Sequence, residues 1–235
     1  MSLTRIQNLS ISLDGFATGE PQSLEAPFGH AGMRLHQWMM ATRFWDPAGS
    51  DGVDHAMAQR HEHGIGAEIM GANKFGPPGW QDDADWRGWW GDNPPFHTPT
   101  FVLTHRPRPP MEMEGGTTFH FLDASPTEAL AVAREAAGDL DVRIGGGPSV
   151  VRDFLAAGLV DHMHIVVVPI LLGRGVRLWD MARCVGPPPR PTVPPRPWKS
   201  RSFTPASRAA TCKSRCARKI SQVEVSMPPS LLESE

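Results

Sequence analysis

The stretch Asp141-Val-Arg-Ile-Gly-Gly-Gly-Pro-Ser-Val-Val-Arg-Asp-Phe-Leu155 runs an apolar segment into three glycines and then into a helix that opens at Pro148 and Ser149. Glycines let a backbone approach an anion with no Cβ in the way. The free N–H groups and positive dipole end of a helix's first turn favour negative charge at that place. Pro148 suits the first helical position, where its missing N–H would have had no partner. Gly145, Gly146, Gly147 and Ser149 are therefore candidate phosphate-binding residues. The run is neither GxGxxG nor GxxxxGK[ST], so taken alone it reads equally as tight packing.

Other residues extend the chemistry. Thr104-His105-Arg106 closes an apolar run, Phe101-Val-Leu, and offers a hydroxyl and a guanidinium, the latter matching phosphate in a two-pronged geometry. Asp14, in Asp14-Gly15, is either a turn residue or a group that orients a substrate. His36 is either a surface histidine or a proton donor near neutral pH. Gly173-Arg174-Gly175 is a turn or an anion grip. The imidazoles of His61-Glu-His63 diverge on a helix, and His162-Met-His164 lacks a third ligand at useful spacing, so no metal site is expected. All three cysteines follow residue 183, leaving no thiol in the body for a disulfide or thiolate site. The absence of a GxSxG elbow argues against a hydrolase.

These residues need a scaffold, and the periodicity supplies one. Strands are predicted at about 5–13, 67–70, 100–104, 117–122, 142–144 and 164–172, the last nearly continuous in apolar residues as a central strand should be. Between them, 32–44 places Leu35, Trp38, Met39 and Thr42 on one helical face, and 53–63 reads as a second helix. Residues 125–137 form a helix capped by Ser125 with Glu128 three residues on, and 149–157 form the helix after the glycines. Alternation of this kind gives an α/β, three-layer sandwich around a mostly parallel sheet. Residues 76–97 are a long loop carrying Trp80, Trp86, Trp89 and Trp90, either a cover for the core or a dimer contact, or else a lid suited to a planar ligand.

With 235 residues, 40% hydrophobic and 20% charged, the chain fits one sizeable domain. Its net charge of −2 hides a split: 183–235 hold ten Lys/Arg against three Asp/Glu, and ten of the 24 prolines. The expected organisation is one α/β domain at 1–182, then a Pro/Arg/Ser-rich tail at 183–235, a reading-frame change or divergent extension, mostly disordered. Only 219–227 alternates there like a strand. With no long apolar run and no signal-like start, a cytoplasmic protein without membrane contact is expected. The scattered tail charges, lacking interleaved aromatics, give no expectation of nucleic acid as a partner.

Four segments in order carry a resemblance: Ser12-Leu-Asp-Gly-Phe-Ala17, Ile69-Met-Gly-Ala-Asn-Lys-Phe75, Phe101-Val-Leu-Thr-His-Arg106, and Ile144-Gly-Gly-Gly-Pro-Ser149 continuing to Val168-Pro-Ile-Leu-Leu-Gly-Arg-Gly175. Together they resemble the dihydrofolate-reductase-like superfamily, and within it the RibD C-terminal domain of the bifunctional riboflavin-biosynthesis deaminase-reductases. The resemblance implies an NADPH-dependent reductase acting on a small planar C=N or C=O compound, with the ribosylamino-pyrimidine of riboflavin synthesis as leading substrate, and a homodimer. The alternative is a catalytically idle NADP(H)-binding sensor or scaffold. The resemblance also implies roles. Ala17 and the 12–15 turn lie beside the nicotinamide; Gly71, Asn73 and Lys74 approach the cofactor phosphates. Thr104, His105 and Arg106 surround the adenosine 2′-phosphate, and Gly145–Gly147 with Ser149 hold the pyrophosphate. One departure stands out: Ala72 follows Gly71 where relatives carry Arg, leaving Lys74 as the replacement charge. Dihydrofolate is not the expected substrate, because 32–44 lacks the carboxylate that protonates a pterin.

Overall fold

The computed structural model describes residues 2–179 and 222–228. Ten strands are present among them: β1 (Thr4–Ser12), β2 (Phe16–Thr18), β3 (Ile65–Gly71), β4 (Pro99–Leu103), β5 (Met111–Glu112), β6 (Thr118–Leu122), β7 (Asp141–Gly146), β8 (His162–Val168), β9 (Val176–Arg177) and β10 (Gln222–Ser226). Five α-helices accompany them: α1 (Gln37–Met40), α2 (Val53–Gln59), α3 (Ala72–Phe75), α4 (Pro126–Ala137) and α5 (Pro148–Ala156). Eight strands form one sheet in the order β10-β8-β1-β7-β3-β4-β6-β5. Every neighbouring pair in it is parallel except β5 with β6, while β2 and β9 make a small antiparallel pair.

Helices α4 and α5 cover one face, packing on Ile6, Ala67, Ile69, Val142 and Ile144, with the fully buried Phe154 of α5 inserted among them. Burial of a side chain such as Phe154 contributes about 1.5–3 kcal/mol. The opposite face is covered in two places, by Leu35, Trp38 and Ala58 over Val166 and Val168, and by Phe75 and Trp80 over Met70, Val102 and Phe121. The three layers follow from strand alternation, since neighbours such as Ile69 and Met70 point to opposite sides.

The capping box expected for α4 is present: Ser125 Oγ accepts from the Glu128 N–H, and Glu128 Oε2 accepts from the Ser125 N–H at 2.9 Å. The continuous helix expected over 32–44 is instead a series of turns around the four-residue α1, preceded by a 3₁₀ turn at Gly29–Ala31. Gly32 adopts φ +54°, a left-handed conformation that ends the first turn. Thr42 Oγ1 bonds back to the Met39 carbonyl at 2.7 Å, and the chain folds over to pair Thr42 with Ser50. The predicted apolar face survives without the helix: Leu35, Trp38 and Thr42 are buried. Helix α2 is shorter than 53–63, ending at Gln59 before a turn. The strand-like alternation at 219–227 corresponds to β10; the rest of the predicted tail lies outside the described residues, apart from Met227 and Pro228.

Candidate functional site

Parallel pairing brings the carboxyl ends of β1, β7, β3 and β4 to one edge of the sheet, where ligands of open α/β sheets bind. Strand β7 ends there in the glycine run. Gly146 has φ +115°, and the Gly146–Gly147 peptide is cis. Gly147 caps α5 with Pro148 at its first position and no side-chain bond to the helix start. The first carbonyl acceptor is Gly147 O, bonded by Val151 N–H at 3.1 Å, so the earlier N–H groups of Ser149 and Val150 face out of the helix end. A Cβ on Gly147 would meet nothing within 4 Å, and Ser149 is exposed. This is an open cradle at a helix N-terminus, with room for a phosphate.

Gly71 lies alongside: a Cβ there would come 2.8 Å from Val150 Cγ2, so only glycine lets the end of β3 meet α5 this closely. From this junction a cleft of about 420 Å³ runs toward Thr104, His105 and Arg106, with Leu103, Leu122 and Val150 in its walls. Thr104 is buried and its Oγ1 accepts the Arg106 N–H at 3.2 Å, fixing the backbone of that turn. Arg106 Nη2 donates to Asp82 Oδ1 at 2.6 Å, and the exposed His105 meets Asp123 Oδ1 at 2.9 Å. Asn73 is exposed at the same junction.

Lys74 behaves differently from its expected role. Its ammonium turns away from the cleft and donates to Glu68 Oε1 at 2.9 Å and to the Gly145 carbonyl at 2.8 Å. Glu68 also accepts two bonds from Arg143 through Oε2, one of them at 2.9 Å from Nε. The parallel register puts Glu68 directly beside Arg143, so the pair is formed by the strands themselves. A Cβ on Gly145 would lie 2.6 Å from Glu68 Cδ and 2.8 Å from Lys74 Nζ. The first glycine of the cradle is thus required by the charges beneath it. Lys74 braces the cradle from below, and Ala72 has no charged substitute in the cleft.

Two further candidates are also placed. Asp14 Oδ1 accepts from Ser12 Oγ at 2.6 Å and Leu172 N–H at 3.1 Å, and its Oδ2 accepts Gly173 N–H at 2.7 Å. Desolvation pushes this carboxyl up, but the Ser12 hydroxyl and the two backbone donors outweigh it and hold it at about 2. Asp14 is a fully engaged anion that pins the 172–173 segment to the β1–β2 turn, with no proton to give. Ala17, on β2, is half-buried next to this turn. His36 is not a freely exposed residue: its ring lies 4.6 Å from that of Phe28, and its Nδ1 has no hydrogen-bond partner among the described residues. Burial, with a smaller push from the Lys74 charge, lowers it to about 4. It is neutral at physiological pH, which removes the expected role of charged donor.

The tryptophan loop divides. Trp80 is 3% exposed, with its indole N–H on the Ala72 carbonyl at 3.1 Å, and Trp86 donates to Phe75 O at 3.2 Å. These two cover the core. Among the described residues no group of three metal-ligating side chains gathers.

Residues 5–186 match the RibD C-terminal domain family. The chain belongs to that family. No curated protein matches it. Among solved structures, this RibD C-terminal domain is similar to a Shewanella sp. PV-4 protein provisionally assigned to riboflavin biosynthesis, at 23% identity and TM-score 0.43, over 75% of this chain and 81% of that one. It is also similar to a pyrimidine reductase-like protein of Corynebacterium diphtheriae, at 15% identity and TM-score 0.41, over 79% and 82%. Family membership makes it a riboflavin-pathway type of reductase domain. The buried Glu68–Arg143–Lys74 cluster is the part of the site that the motifs do not reveal. Its signal is a Glu inside the apolar run 67–70 and an Arg inside 142–144, two charges that buried neighbouring strands must pair.

Proposed function

We propose that this domain is an NADPH-dependent reductase that delivers hydride to a small planar C=N or C=O substrate, with 5-amino-6-(5-phosphoribosylamino)uracil as the leading candidate. The observation that carries the reading is the open glycine cradle at the start of α5, in line with Gly71 and the Thr104–Arg106 turn along one sheet edge. The residues fit the cofactor: Gly146, Gly147 and the N–H groups of Ser149 and Val150 would hold the pyrophosphate. The apolar walls at Leu103 and Leu122 would take the adenosine, and Arg106 its 2′-phosphate. The bound nicotinamide would supply the hydride, while the chain binds, orients and excludes water. Reduction of C=N or C=O also needs a proton on the heteroatom. Asp14 and His36 do not supply it at neutral pH, so solvent is the proton source in this reading. The protein works as a homodimer in the cytoplasm; no helix among the described residues is long and apolar enough to cross a membrane.

The test is a titration of the full chain with NADPH and NADH, followed by quenching of its tryptophans, then NADPH oxidation with the pyrimidine substrate. Preference for NADPH that is lost in Arg106→Gln supports the reading; failure of a folded sample to bind either cofactor overturns it. The locked Asp14 and neutral His36 favour a second reading, a protein that binds NADP(H) without turnover. Tight NADPH binding with no oxidation across a panel of imines and carbonyls would select it.

A further inference from the structure

Among the residues lining the cleft, Arg106 is the one permanent cation, and it is already engaged. Its partner Asp82 belongs to a 3₁₀ turn, Trp80–Asp82, whose position is fixed by the fold. The Trp80 indole is buried, hydrogen-bonded to Ala72 O, 4.7 Å from the Phe75 ring and 5.8 Å from that of Phe121, with the Arg108 guanidinium 5.1 Å over it. The turn that carries Asp82 is therefore held at Trp80, while the two paired side chains are both exposed, 70% for Asp82 and 59% for Arg106. Asp82 holds the guanidinium through Nη2, so a phosphate entering the cleft must share Arg106 with that carboxylate or draw it away, and in either case sits near a second anion. A ligand lacking that phosphate leaves the pair undisturbed.

We infer that Asp82 is a specificity-determining residue that competes with the 2′-phosphate for Arg106 and so restrains the preference for NADPH over NADH. The inference rests on the cofactor reading above. The pair is exposed and solvent-screened, so the competition is modest, roughly two- to fivefold in affinity. It weakens with added salt, as contacts between exposed charges do.

Calorimetric titrations of the full chain with NADPH, NADH, adenosine 2′,5′-bisphosphate and 5′-AMP, for wild type, Asp82→Asn, Arg106→Gln and the double variant, test it. Asp82→Asn is expected to tighten NADPH and the bisphosphate roughly two- to fivefold and to leave NADH and 5′-AMP unchanged, with no effect in the Arg106→Gln background. Equal tightening of all four ligands, or of none, overturns the proposal. If wild type prefers NADPH and Arg106→Gln keeps that preference, the 2′-phosphate is read elsewhere: the proposal falls while the NADPH reading stands. Failure of wild type to bind any of the four removes both. Both side chains are largely exposed, so the variants are expected to fold, which their circular dichroism melts check.

Discussion

Replacing Glu68 by Gln removes the one anion beneath the glycine cradle while keeping its shape. Glu68 is 1% exposed at its side chain and is bonded by both Arg143 and Lys74. Burial pushes its carboxyl up, but the Arg143 and Lys74 charges outweigh that and hold it at about 2, against an ordinary value of 4.5. A depression of that size corresponds to roughly 3 kcal/mol of stability, present in full above the unfolded value and lost as pH falls through the folded one. By about pH 3.5, on the order of 1 kcal/mol of it is gone. Burial pushes the Lys74 ammonium down while the Glu68 charge pulls it up. In Glu68→Gln, Arg143 and Lys74 face each other without an anion, and removing one partner of a buried pair costs about 3–5 kcal/mol. In urea that lowers the unfolding midpoint at pH 7 by roughly 1–2 M. The gap should then narrow by on the order of 1 kcal/mol at pH 3.5, because the wild type loses what the variant lacks at any pH. Urea unfolding followed by far-ultraviolet circular dichroism at both pH values measures it. A gap unchanged with pH, at equal denaturant dependence, would refute the assignment of Glu68 as the charged centre of this cluster.

Two glycine substitutions separate fold from ligand. Gly145→Ala presses on Glu68 and Lys74 and should cost about 1–3 kcal/mol of stability by overpacking. Gly147→Ala, at φ −61° with open space around it, should leave the melting temperature within a degree or two, about 0.5 kcal/mol, yet weaken NADPH binding by filling the cradle. His36 should show no titration between about pH 5.5 and 8 in its ring proton resonances. Its folded value of about 4 lies below the ordinary 6.5, so the unfolded chain takes the extra proton and stability from this group falls as pH drops from 6.5 toward 4. Arg108→Ala should cost about 2–3 kcal/mol and red-shift tryptophan emission, since its guanidinium stacks over Trp80 and Phe121 and bonds the carbonyls of Asp83 and Trp86.

Local signals carried most of the fold into the sequence. Ser125 and Glu128 identify their helix because both halves of a capping box lie within four residues. The nearly unbroken apolar run at 164–172 reads as a central strand, and β8 does lie inside the sheet, between β10 and β1, but it ends at Val168, so the reading overruns the strand at 169–172. Residues 32–44 misled for a reason of the same kind. Leu35, Trp38 and Thr42 recur at helical spacing and are buried, yet several turns place them there as well as one helix does, and periodicity cannot distinguish the two.

The site was legible in its backbone parts and much less so in its charges, and the cause is register. A glycine run before Pro148 announces its conformation locally, so the cradle could be named from 145–149 alone. Which charges meet beneath it depends on Glu68 lying beside Arg143 across two strands 75 residues apart, and on Lys74 reaching back from the turn after β3. Motif position suggested that Lys74 faces the phosphates, as a lysine two residues past an exposed junction should. The buried carboxylate decided otherwise: Arg143 holds Oε2, and the remaining Oε1 together with the Gly145 carbonyl takes the ammonium of Lys74, the nearest flexible cation. The same reasoning explains Arg106. With Lys74 committed below the cradle and Ala72 uncharged, the cleft is lined by a single guanidinium, and on the proposed reading a preference for a phosphorylated cofactor would be adjustable by one neighbouring carboxylate, Asp82.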